Sequence, residues 1–143
     1  SRTTRFGPTT GRRCVVPSGL GLRRTRGCGR RACPGRQQRG TLNSLREWGL
    51  DPGVLRERRI ADLLADNSRW EYKNLPYWSG EVDCCINAWT LANGVWLGVD
   101  VIGLVDWCLE HRLPAGGWNC EWVEGCTRSS FHSTLNSLSR GIR

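Results

Sequence analysis

From Thr41 onward the chain sets apolar residues at helical spacing and separates the groups with short polar breaks. In TLNSLREWGLDPGVLRERRIADLLADN, Leu42, Leu45 and Trp48 recur every three residues, as on one helix face. The break at 49–53 carries a C-capping glycine, then Asp51 as an N-cap with Pro52 at the first helical position. Val54, Leu55, Ile60, Leu63 and Leu64 predict a second helix. The stretch 67–80 loses the period and gathers Asn, Ser, Gly, Pro and aromatics, which predicts a loop. A largely apolar helix is expected over 82–98, weakened near Asn93 and Gly94. Gly98 ends it, and Asp100 caps the next helix, with a stripe of Val101, Leu104, Val105, Cys108 and Leu109. Pro114 and the Gly116, Gly117 pair stop that helix. After a loop, 131–139 predicts a last helix capped by Ser129 or Ser130.

The order is therefore helix, helix, loop, helix, helix, loop, helix, and the fold class is all-α. The turn signals GLDPG and GVD recur about fifty residues apart, a weak internal repeat of a helix pair plus a loop. Such units do not bury both faces alone and normally stack into an array or ring.

Charge divides the chain in two. Residues 1–40 hold 11 of the 20 Arg and no acid, whereas 41–143 hold 10 basic against 13 acidic residues and all 8 Trp. The formal charge of +8 averages two unlike segments, and the boundary falls at residue 40. Residues 1–40 sustain no period and read as disordered. An Arg-rich arm for nucleic acid is one function for them. Arg, Gly, Pro and Cys without any acid also match an out-of-frame translation of a GC-rich gene, and this reading is preferred. Cys14, Cys28 and Cys33 lack CxxC spacing, so a zinc ribbon is unsupported. No run of 18 apolar residues is present, so no transmembrane helix is expected, and no export signal is visible. The expected compartment is the cytoplasm, where thiols stay reduced.

The stretch LVDWCLEHRLPAGGWNCEW resembles the prenyltransferase/squalene-oxidase repeat, with His111 or Arg112 where the usual Gln stands. SLREWGLDPG and GGWNCEWVEGCTRSSFHSTLNSL extend the likeness over roughly 41–140. The resemblance implies a partial α/α-toroid, in which inner and outer helices alternate. Part of the ring is then missing from the chain or supplied by an oligomer partner. It also implies action on a prenyl or other hydrophobic substrate by a transferase. The superfamily's cyclases need an acidic D-x-D-D motif, which is missing here, and this argues against cyclisation.

The same resemblance implies a zinc triad of Asp83, Cys85 and His132. Asp83-Cys84-Cys85 has the family's D-x-C spacing, and His132 opens the last helix. Carboxylate, thiolate and imidazole are ordinary zinc ligands, and three of them leave a position open for substrate. Residues i and i+2 diverge within a helix, so Asp83 and Cys85 converge only if Asp83 is the N-cap. Taken singly, Asp83 is an N-cap, His132 a half-buried histidine, and Cys84 and Cys108 small core residues. Cys120 and Cys126 are alternative ligands. Trp78, Trp118 and Trp122 are the candidate substrate-binding aromatics, and clamps between helices otherwise. The competing function is a non-catalytic repeat module for binding, or an inactive relic.

Overall fold

The computed structural model describes residues 34–139, with side chains from Gln38 onward. The readings of Cys14, Cys28, Cys33 and the Arg-rich arm lie outside the described residues. Six α-helices follow in order: α1 (Pro34–Glu47), α2 (Pro52–Glu57), α3 (Ile60–Asn67), α4 (Cys84–Leu97), α5 (Ile102–Glu110) and α6 (Phe131–Ser139). Two short 3₁₀ turns, Tyr77–Ser79 and Cys120–Glu124, punctuate the loops. Among the described residues there is no strand, only an isolated bridge between Arg69 and Pro76. The all-α expectation holds.

Helix α4 is the axis of the molecule. Its sequence is mostly apolar, and even its polar stripe of Asn87, Thr90 and Asn93 is fully buried, as in a helix surrounded by protein. It touches α1, α2, α5 and α6. Cys84, Ala88 and Leu91 look into one apolar cluster with Val101, Leu104, Cys108 and Trp118. Ile86 and Leu97 look into a second with Leu42, Leu55, Leu64, Trp70 and Tyr77. Each fully buried Leu or Ile contributes about 1.5–3 kcal/mol, so these two clusters supply most of what holds the helices together.

Four expectations need correction. Helix α1 begins at Pro34, so the boundary at residue 40 falls inside a helix. Proline suits a first helical position, where no N–H is required, and the Ser68 hydroxyl donates to Gln38, binding this end to the loop after α3. The single helix expected over 54–64 is two, divided at Arg59, whose φ is +53°. Leu55 and Leu64 stand nine positions apart, about half a turn out of phase on one straight helix. The break rotates the second segment so that both enter the same cluster.

Asn93 and Gly94 do not weaken α4. Asn93 is fully buried; it accepts from Arg46 Nη1 at 2.9 Å and donates to Asn43 at 2.8 Å, joining α4 to α1. Gly94 lets Val101 approach, since a Cβ there would lie 2.5 Å from Val101 Cγ1. Lastly, Trp48, expected on the apolar face of α1, is 81% exposed just past the helix end.

The two turn signals fold alike. After α1, Gly49 has φ +75°, Gly49 N donates to Arg46 O and Leu50 N reaches back to Leu45 O. After α4, Gly98 has φ +75°, Gly98 N donates to Val95 O and Val99 N reaches back to Gly94 O. This is the glycine-terminated Schellman arrangement. In both, an aspartate two residues on accepts from a backbone N–H: Asp51 from Gly53 at 2.9 Å, Asp100 from Ile102 at 3.1 Å. The internal repeat read from sequence is therefore present in backbone geometry at these two corners.

Candidate functional site: a dithiol at the head of α4

Asp83 is the N-cap of α4, extended at φ −83° and ψ 117°, with no side-chain cap bond. The turn ahead of it is fixed by Asn87, which donates to Glu81 O and accepts from Glu81 N, both at 2.6 Å. Those two bonds make a buried clamp that holds the chain entering the helix. Cys84 and Cys85 follow on the first turn and diverge, as adjacent helical residues must. Cys84 is fully buried in the apolar cluster, and burial pushes its thiol up to about 12. Cys108 is likewise buried and pushed up to about 12. Both fill space, as expected.

Cys85 faces a different neighbour. Its sulfur lies 2.7 Å from the sulfur of Cys120, at the start of the second 3₁₀ turn. That turn is pinned to the head of α4 by Trp122, whose Nε1 donates to Val82 O at 2.9 Å. Helix α6 closes the third side. Ser133, buried at 3% exposure, accepts from Cys120 N at 3.3 Å and presents its hydroxyl to the Cys120 sulfur at 3.5 Å. The two thiols polarise each other. Hydrogen bonding within the pair, helped by the backbone and Ser133 and opposed by burial, draws the Cys120 thiol below its ordinary range. The same hydrogen bond, then burial, pushes Cys85 strongly up.

His132 does not join this pair. It is exposed on α6, with Nε2 3.2 Å from the Asn136 side chain. Among the described residues no three His, Cys, Asp or Glu side chains converge as a metal would need. As placed, Asp83, Cys85 and His132 are not brought together: Cys85 meets Cys120, and His132 meets Asn136. Cys126 is disulfide-bonded, so it offers no thiolate to a metal.

The three tryptophans act as staples. Trp118 Nε1 donates to Cys108 O at 2.7 Å, Trp78 Nε1 to Ala61 O at 3.0 Å, and Trp122 to Val82 O. Trp118 is buried and Trp78 and Trp122 half-buried, and each spends its single donor across elements. Trp78 also lines an open cleft of about 360 Å³ with Leu55, Arg56, Arg59 and Leu97; Trp118 and Trp122 lie elsewhere. Near the dithiol, His111 stacks on Trp107 at 4.0 Å and meets the Trp122 ring edge-on at 4.5 Å. The sequence marked Cys85 but ranked Cys120 only as an alternative ligand. Their partnership spans 35 positions and has no local signature.

Fold and site together define an all-α helical domain with a half-buried pair of thiols. The chain matches no family model, and no curated protein or solved structure is detectably similar to it.

Proposed function

We propose that this chain is a helix-pair repeat module of the α/α-toroid kind, which works by packing against further helix pairs. Helix α6 carries the reading. It turns Ser133 and Ser137 inward, at 3% and 0% exposure, and Phe131, Leu135 and Leu138 outward, at 82%, 54% and 43%. A helix in water normally shows the opposite polarity. The outward residues, at i, i+4 and i+7, form one stripe of the width that a neighbouring helix covers. The duplicated corners at Gly49 and Gly98 support a repeat architecture, in which each unit is finished by the next.

Sedimentation and dye binding on the purified chain test this. Wild type is expected to self-associate at micromolar concentration or to bind an apolar dye, and the double variant Phe131→Glu, Leu135→Glu to do neither while keeping its helical circular dichroism. A wild-type chain that stays monomeric and dye-silent sinks the proposal. The prenyl-transfer reading has a separate signature: stoichiometric zinc that is lost in both Cys85→Ala and His132→Ala. Finding that signature would favour an enzyme over a packing module.

A further inference from the structure

We propose that Cys85 and Cys120 form a redox-active pair that exchanges with low-molecular-weight disulfides. Once oxidised, the pair ties the Cys120–Glu124 turn to the head of α4. This inference is independent of the repeat-module reading, since it concerns one site and not the outer face.

The geometry separates this pair from the other free cysteines. The two sulfurs lie 2.7 Å apart, so a bond of about 2.05 Å needs a shift of well under an ångström. Cys84 and Cys108 are fully buried, whereas both sulfur-bearing residues of the pair are partly open to solvent. The elements that carry the pair are already held together by Trp122 on Val82 and by Ser133 on Cys120 N. Oxidation therefore replaces a contact with a bond and leaves the helices where they are.

The roles of the two cysteines follow from their surroundings. Of the two sulfurs, the one of Cys120 also receives the Ser133 hydroxyl at 3.5 Å, a donor that favours its thiolate, while Cys85 lies beside it at 2.7 Å. The Cys120 thiolate attacks one sulfur of a small disulfide R–S–S–R. A mixed disulfide Cys120–S–S–R forms, and one R–S⁻ leaves. Cys85 gives its proton to that leaving thiolate and attacks the Cys120 sulfur; the Cys85–Cys120 bond forms as the second R–S⁻ departs and takes a proton from solvent. The two protein thiols lose two electrons and two protons, and the small disulfide is reduced to two thiols.

The consequence is mechanical. The Cys120–Glu124 turn leads directly into α6, so oxidation fastens the segment that presents the Phe131, Leu135, Leu138 stripe.

The test equilibrates the full chain against graded mixtures of oxidised and reduced glutathione. It then traps free thiols with an alkylating agent and maps the peptides by mass spectrometry. A Cys85–Cys120 linked peptide is expected, populated reversibly and removed by excess reduced glutathione. In Cys85→Ser, Cys120 is expected to accumulate as the glutathione adduct, with unchanged circular dichroism. Proteolytic cleavage within 120–130 is expected to slow several-fold in the linked form. Absence of the linked peptide at every ratio overturns the proposal. So does a link that forms in wild type while Cys85→Ser, still folded, shows no adduct at Cys120. A linked chain cleaved at the unlinked rate overturns the fastening role.

Discussion

At the scale of single residues, the chain distinguishes side chains that its sequence sets next to each other. Cys84 and Cys85 share a helical turn, yet one is sealed in the core and the other touches a thiol. Peptide-resolved alkylation exposes the difference. The Cys120 thiol is drawn below its ordinary range, so its thiolate, and with it rapid alkylation, is expected to persist to lower pH than for an ordinary cysteine and to be lost only as the pH falls through that depressed value. Cys84 and Cys108, pushed up to about 12, are raised and stay unreactive until the solution is strongly alkaline or the chain unfolds.

Two glycines make a matching contrast. Gly94→Ala puts a methyl 2.5 Å from Val101 and is expected to cost about 1–3 kcal/mol, read from a thermal melt. Gly103→Ala, on α5 with open space around it, is expected to gain about 0.5–1 kcal/mol. The sequence separates the two cysteines by their distance from Asp83 and assigns Cys84 to packing. It does not reveal the importance of Asn93 and Gly94, because an Asn-Gly dipeptide reads locally as a break. Its helical state is enforced by Asn43 and Arg46 on one side and by Val101 on the other, contacts that no local window contains.

At the scale of elements, the corners are legible and the helix interiors less so. Gly49, Asp51 and Gly98 do what their chemistry requires, since a cap or a left-handed glycine is a decision made within a few residues; Asp100, expected as the cap of α5, stands one residue ahead of the N-cap Val101 and accepts from Ile102 N instead. The bounds of α6 and the capping role of Ser130, which faces Ser133 N at 3.4 Å, were legible for the same reason. The split between α2 and α3 was not. Arg59 carries no turn preference, and its positive φ is imposed by the need to bury Leu55 and Leu64 together. The approach to α4 depends on Asn87 in place of a strand partner. Asn87→Ala leaves both Glu81 backbone groups buried without their bonds, and a loss of about 1–3 kcal/mol for the site is expected in chemical denaturation. Arg56 closes the other end of α4, donating to Leu97 O at 3.0 Å and Trp96 O at 2.7 Å. Lysine at that position has no fork to serve both carbonyls. Arg56→Lys should therefore lower the melting temperature by a few degrees, consistent with about 1 kcal/mol.

At the scale of the molecule, one helix buried on most of its surface organises the rest, and the last helix has its polarity inverted. The apolar runs foretold the first of these. The second was hidden, because the stripe of Phe131, Leu135 and Leu138 reads in a sequence as the face that belongs inside. Only the packing of Ser133 and Ser137 against α4 shows which side is buried; small side chains there allow the two axes to come close. The separation of His132 from Cys85 has a related reason. Spacing located Asp83, Cys85 and His132 along the chain, but the solvent-facing position of His132 is decided by which face of α6 the serines claim.

The twin corners have a consequence of a genetic kind. Asp51 and Asp100 stand 49 positions apart, and each corner is closed by the same glycine turn and the same aspartate-to-backbone bond. A gene segment copied between those two points would enter the protein as a whole unit, leaving and rejoining the chain at matched joints. Growth by duplication, and loss by deletion, would then change how many units the chain has without asking any one of them to fold differently.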